Sequence, residues 1–259
     1  MNPYRSAYST RVLRCRRIFA VAALIWTSIP TLMCASDGAL SLTLSSGVAS
    51  DHVYRGIERA GTVWQSSFYG SVADWKGRVW LGKPVDSDGL EEVQSSLGRS
   101  WAIGAASAIE ITGMHFWYVD PPVDGAPVHS FEGAVRFSST TRDGWKPSLQ
   151  CAYDIRYRAR SVEISIAREF LTDAGSWELR AYTGQVAARD VLPDSGEAAL
   201  HDNYVYYGAD CDLRRKLSAH WSVQGRIGVV GSTNLNAAWS ALPPQTARGR
   251  FALSALYQF

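Results

Sequence analysis

Apolar and polar side chains take turns along the last eleven residues, Gly249 to Phe259. Phe251, Leu253, Ala255, Tyr257 and Phe259 fall on one parity, and Arg250, Ala252, Ser254, Leu256 and Gln258 on the other. A strand sends successive side chains to opposite faces, so this stretch predicts a strand with one aromatic, apolar face running to the final residue. The same period recurs upstream. His220, Ser222, Gln224, Arg226 and Gly228 oppose Trp221, Val223, Gly225, Ile227 and Val229, and Phe131, Gly133, Val135 and Phe137 oppose Glu132, Ala134, Arg136 and Ser138. Read this way from Ala39 onward, the chain predicts strands near 39–50, 63–74, 77–83, 91–103, 108–119, 129–139, 146–155, 161–169, 176–187, 203–213, 219–230 and 249–259. Segments of about ten residues suit tilted membrane strands.

The connections carry a second rhythm. Those after strands 2, 4, 6, 8 and 10 are short: Trp75 to Lys76, Gly104 to Ser107, Thr140 to Gly144, Thr172 to Gly175, and Arg214 to Ser218. Those after strands 1, 3, 5, 9 and 11 are longer, among them Asp120 to Val128, Ala188 to Asp202 and Gly231 to Arg248; the loop after strand 7, near Arg156 to Arg160, is a short exception. Short turns at one rim and long loops at the other mark an outer-membrane barrel, with termini and short turns on the periplasmic side. The ending resembles the closing strand of bacterial outer-membrane β-barrels, whose terminal aromatic is read by the assembly machinery; Tyr257 and Phe259 are the candidate assembly signal, and that machinery and outer-membrane lipid are the implied partners. A soluble β-sandwich or lipocalin-like barrel has the same period with its apolar face as core. The terminal aromatic strand, the loop rhythm, and small or polar residues scattered on the apolar face weigh against it. Trp and Tyr, 10 and 12 in number, favour membrane interfaces, and Tyr54, Trp64, Trp80, Trp117, Tyr118, Trp145, Trp177 and Trp221 sit near strand ends as expected of interface girdles.

The N-terminus reads differently. Arg5, Arg11, Arg14, Arg16 and Arg17 precede an apolar run from Ile18 to about Pro30 and small residues at Cys34 to Ser36. This is the pattern of a secretory signal peptide, expected to be cleaved after Ser36, leaving residues 37–259 as a single barrel domain. The run is short against the roughly 20 residues that span a bilayer as a helix. Removing residues 1–36 leaves 21 basic against 24 acidic side chains, so the basic balance of the whole chain belongs to the leader and no nucleic-acid footprint remains. Cys151 and Cys211 stay in the mature chain on apolar parities of non-neighbouring strands, and are expected as free thiols.

One local motif stands out. Ser50 to Ile57 (SDHVYRGI), followed by Trp64-Gln65, resembles the signature of a proteobacterial conserved hypothetical family called Gcw_chp, a pattern near S-D-Y-x-x-R-G-x-S; Ser50, Asp51, Arg55 and Gly56 match, while His52 and Glu58 depart from it. The resemblance implies an exported β-rich protein and no reaction. Asp51 and Arg55 are expected on the polar parity of strand 1, roughly 13 Å apart and each with a partner elsewhere, Gly56 permitting the following turn. They pin that strand in a charge network or form a ligand or ion site. The polar parity further supplies Glu132, Arg136, Asp154, Arg156, Glu163, Glu178, Arg180, Asp210, Asp212, Arg226 and Arg250 as lumen charges, structural or pore-lining.

Enzymatic chemistry finds little support. Of five histidines, His52, His129 and His201 fall at strand ends or in loops, and His220 lies near the periplasmic rim. Only His115 is mid-strand on the lipid-facing parity, where a barrel lipase holds its base, and a Ser beside it would mark such an enzyme. Metal-ligand spacings, phosphate loops and nucleophile elbows are absent, so no metal or cofactor is expected. The expectation is an all-β, single antiparallel transmembrane barrel of about twelve strands in the bacterial outer membrane. Its expected role is a small channel passing a small solute, or a structural envelope protein; the alternatives are a lipid-acting outer-membrane enzyme and a soluble periplasmic binder of an apolar ligand.

Overall fold

A computed structural model of the protein describes residues 39–55, 57–85, 91–119, 128–188, 202–233 and 247–259. The expected leader, His201 and most of the loops Asp120 to Val128, Ala188 to Asp202 and Gly231 to Arg248 lie outside these residues. Twelve strands form one closed antiparallel wall: β1 (Ser41–Ala49), β4 (Val63–Val72), β5 (Trp75–Pro84), β6 (Glu92–Ala102), β7 (Ser107–Tyr118), β8 (His129–Ser139), β9 (Trp145–Asp154), β10 (Ala159–Thr172), β11 (Gly175–Ala188), β12 (Asp202–Lys216), β13 (Trp221–Thr233) and β14 (Arg248–Gln258). Each strand pairs with its sequence neighbours in the wall, and β14 closes on β1 with Thr43 opposite Gln258 and Ala49 opposite Ala252. Closure satisfies the backbone donors and acceptors that an open edge would strand in hydrocarbon.

The parity read from the sequence is the parity of the wall. Leu44, Ile111, Phe131, Val135, Phe137, Val162, Ile164, Ile227, Val229, Phe251 and Leu253 are all exposed on the outer face, Leu253 at 60%. A soluble barrel would turn these inward to build a core. Here the apolar surface faces out, as lipid demands. Cys151 and Cys211 are free, as expected.

Short turns bring the strands round at one rim. Gly104 (φ +83°) and Gly144 (φ +79°) take the left-handed conformation that glycine adopts without steric cost. The first of these turns corrects the sequence boundary: it falls on Ala73 and Asp74, while Trp75 and Lys76 already pair with β4 and β6. The ladder reaches them because Trp75 lies opposite Val72 across a tight two-residue turn.

The larger correction concerns the motif. Strand β1 stops at Ala49 and does not carry Asp51 and Arg55 on one face. After Ser50, whose N–H donates to the Phe251 carbonyl at 2.9 Å, the chain leaves the wall and forms a separate hairpin, β2 (His52–Tyr54) and β3 (Ile57–Ala60). Arg55, at its tip, has φ +50°; Gly56 lies outside the described residues. The wall resumes at Val63, opposite Ala49. Two apolar clusters seat the hairpin at its ends. Ala49, Ala60 and Val63 bury its root, and Ile57 packs against Ala159, Val186, Ala188, Tyr204 and Tyr206 of strands β10 to β12. The hairpin therefore reaches from the β1/β4 side across the lumen at the long-loop rim.

Candidate functional site

Two buried carboxylates hold the hairpin across the lumen. Glu132 of β8, its side chain fully buried, accepts from both terminal nitrogens of Arg55, at 2.5 and 2.7 Å, and from the Tyr54 hydroxyl at 2.9 Å. Glu92, the first residue of β6 and 0% exposed, accepts from Arg59 at 2.7 Å and Gln94 at 2.7 Å and lies 3.3 Å from the His52 ring nitrogen. The Arg59 guanidinium also lies over Tyr54, Phe116 and Tyr118, 4.5 to 5.6 Å from their ring centroids, and His52 packs on Trp80 at 4.6 Å. A two-pronged arginine–carboxylate pair in a dry site carries both geometry and energy, and a cation held against rings adds to it. Asp51, at the hairpin's root, has a looser partner in Arg248 at 3.5 Å. Burial pushes its carboxyl above the ordinary value, and the pull of Arg248 and Arg250 does not cancel that rise.

Below the hairpin the lumen opens into two cavities of about 440 Å³ each. The upper one runs from Val53, Tyr54 and Arg55 down the wall, and its lining carries Arg55, Arg78, Arg136, Arg180, Arg226 and Arg250 against Glu110, Glu163 and Asp210. The lower one reaches Ser41, Thr43 and Gln258 at the short-turn rim, and carries Arg78, Arg214 and Arg226 against Asp212. Arg78 and Arg226 line both, so they stand where the two meet.

The carboxylates in this stretch are already engaged. Arg250 grips Asp210 at 2.6 to 3.0 Å and also donates to the Tyr182 hydroxyl at 3.1 Å. Arg226 donates to Asp212 at 2.8 Å, Arg180 to Glu163 at 2.7 Å, and Lys76 to Glu110 at 3.0 Å. Tyr206 adds its hydroxyl to Glu163 at 2.9 Å. Two arginines are left over. Arg136 donates to the neutral Gln150 side chain at 2.6 and 3.0 Å and stands opposite Glu110 in register, whereas neither Arg78 nor Arg214 pairs with a carboxylate among the described residues.

The charges expected from sequence fall into separate pairs rather than one network. Asp51, Arg55 and Glu132 serve the hairpin. Asp154 receives the Ser130 hydroxyl at 2.6 Å and the Tyr157 N–H at 2.9 Å, which fixes the short loop between β9 and β10. Glu178 stands opposite Asp212 in register and has no hydrogen-bond partner among the described residues. Arg59, Glu92 and Arg78 escaped the sequence reading. Arg78 was accessible to it, since it shares the parity of Lys76 and Trp80; Arg59 and Glu92 find each other only across the lumen. Tyr54, Trp80 and Tyr118, expected in the girdle, are instead inside, where Trp80 and Tyr118 are buried. Trp64 and Trp221 do face outward, each about half exposed. Tyr257 packs against His220, Trp221 and Phe259, with ring centroids 4.9 to 5.7 Å apart. His115 has Ser95 opposite in register, yet its ring nitrogen meets His129 at 3.1 Å and its ring stacks on Phe131 at 4.6 Å.

An apolar outer face, a closed twelve-stranded wall and a charged lumen define an outer-membrane β-barrel. Solved structures with this architecture include the NanC porin (TM-score 0.52, 5% identity, covering 83% of this chain and 98% of that one) and the KdgM porin (0.51, 9%, 85% and 99%). LpxR from Salmonella typhimurium is similar to the same degree (0.52, 7%, 84% and 99%). At these identities the likeness is one of fold. No protein-family model matches the sequence, and no curated protein does.

Proposed function

We infer that the protein is a narrow outer-membrane channel for small anionic solutes, and not an enzyme, with the His52–Ala60 hairpin set across its long-loop mouth. The observation that carries this reading is the surplus of cation along the lumen: Arg78, where the two cavities meet, and Arg214, toward the short-turn rim, have no carboxylate partner among the described residues. A charge in a narrow polar passage with low-dielectric walls acts on a passing ion far more strongly than the same charge in bulk water. The KdgM porin, similar in fold, has been solved in complex with disordered oligogalacturonate, a polyanion, which agrees with this chemistry at the level of fold. Ser95 stands opposite His115 in register, but no hydrogen bond joins the two and the imidazole engages His129 instead.

On the same reading, residues 1–36 are a cleaved export signal and the Tyr257/Phe259 end is the handle for barrel assembly. No family model matches the chain, so the likeness of the SDHVYRGI stretch to Gcw_chp rests on that motif alone, and the residues that carry it lead into the inward hairpin. The test is planar-bilayer recording of the purified mature protein under a tenfold KCl gradient. Discrete conductance steps with a reversal potential toward that of chloride are expected. A barrel that inserts but never conducts, or one that prefers potassium, overturns the reading.

A further inference from the structure

Two surface arginines at the short-turn rim are built into the same arrangement on two separate parts of the wall. On β5 and β6, Trp75 lies opposite Arg99 in register, Trp101 follows two residues later on the same face, and the Arg99 guanidinium stands 5.4 and 5.3 Å from the two ring centroids. On β9 and β10, Trp145 lies opposite Arg168, Phe170 follows two residues later, and the distances are 5.4 and 5.0 Å. All six side chains lie on the lipid-facing parity, beside exposed Leu97, Ile111, Ile166 and Leu179.

Neither arginine has a hydrogen bond or an ion pair with any described residue, and the Nε of Arg99 is buried without a partner. A guanidinium between two aromatic rings keeps its charge and its in-plane donors, and the rings fix its direction. It sits where the hydrocarbon face meets the polar rim. In an outer membrane with its short turns on the periplasmic side, that level is occupied by phospholipid headgroups. The complementary group there is the phosphate, which takes two parallel N–H donors from one arginine.

We propose that Trp75–Arg99–Trp101 and Trp145–Arg168–Phe170 are two binding sites for the headgroup phosphate of an anionic phospholipid in the periplasmic leaflet. The rings cover the first part of the acyl chains and the guanidinium holds the phosphate. The sites are independent of what the lumen transports.

Native mass spectrometry and thermal unfolding of the detergent-solubilised mature barrel test this. With phosphatidylglycerol added, the wild-type protein retains two lipids, Arg99→Gln or Arg168→Gln retains one, and the double variant none. The wild-type Tm rises by about 2–4 °C, the size expected when a weak ligand stabilises a chain of this length, and the double variant does not respond. Arg142→Gln, in an exposed turn of the same rim, responds like wild type. Equal retention by the double variant reduces both motifs to surface packing and overturns the proposal. So does the same Tm rise with inorganic phosphate alone, which leaves an anion site without lipid, or with a diacylglycerol of the same chains, which has no phosphate. These last two arms need only the wild-type protein and stand even if a variant fails to fold.

Discussion

At the long-loop end of the lumen, Arg55 and Arg59 each meet a fully buried carboxylate, and apolar clusters close around them. Further down, Arg78 and, toward the short-turn rim, Arg214 stand open to the cavities without one. Both regions are made of arginines on the inner surface of one wall. The difference is water. A charge taken out of water must be matched or the fold suffers, so the hairpin's charges are paired and serve to hold it in place. A charge that keeps its water tolerates being unmatched, and is free to act on whatever enters. Complete pairing at the mouth and a few unmatched cations below it are thus one physical rule applied under two degrees of burial.

Removing the paired region altogether has the largest effect. Ala49 and Val63 are opposite one another in the wall, so residues 52–60 can be cut out and the ends joined by two glycines without stretching the barrel. The expected outcome is a several-fold rise in single-channel conductance, with the heat-modifiable gel shift of a folded barrel retained. Unchanged conductance would mean that the hairpin does not set the width of the mouth.

Breaking one pair is milder and tells whether the matching matters. Glu132→Ala strands Arg55 and the Tyr54 hydroxyl in a dry site, and removing one partner of a buried pair costs about 3–5 kcal/mol. Hydrogen exchange across His52–Ala60 should speed up, and bilayer traces should flicker to a wider state. In a double-mutant cycle with Arg55→Ala, the two changes together should cost clearly less than their sum. Additive costs would show that the pair is not coupled.

Arg78→Glu acts on the open region instead. It leaves conductance of the same order, and moves the reversal potential from the chloride side toward the potassium side. The shift should shrink from 0.1 M to 1 M salt, because the screening length falls from about 10 Å to about 3 Å. The hairpin's exchange rate, governed by dry pairs, should hardly respond to the same change of salt.

Alternation made the wall legible. Phe251, Leu253, Ile227 and Val229 announce the lipid face because a strand has only two faces and lipid accepts only apolar groups on one. The hairpin was not legible for the same reason. Asp51 and Arg55 fall on the polar parity of β1, and nothing local says that the chain turns inward after Ser50. That is decided by Glu132, 77 residues beyond Arg55, and by Glu92, 33 beyond Arg59. End-of-strand aromatics are ambiguous in the same way: Trp64 and Trp80 read alike, yet one faces lipid and the other backs the hairpin. Which lumen charges remain unpaired also depends on registers between strands, and those appear only once the barrel closes.

The smallest effect is expected at Glu178, and it is the sharpest test of the rule. It was read from the sequence as a lumen charge like the others, and it stands opposite Asp212 in register, a like-charge neighbour, with Arg226 already committed to Asp212. It is half-buried near the short-turn rim, where water reaches it. If burial decides which charges must be matched, Glu178 tolerates its isolation and Glu178→Gln changes stability by no more than about 0.5 kcal/mol, as for surface positions in general. Relief of repulsion with Asp212 would give any change a stabilising sign. Thermal unfolding of the variant beside Glu132→Ala compares the two directly, and a loss at Glu178 as large as that at Glu132 would mean that the two ends of the lumen are not governed by different degrees of hydration.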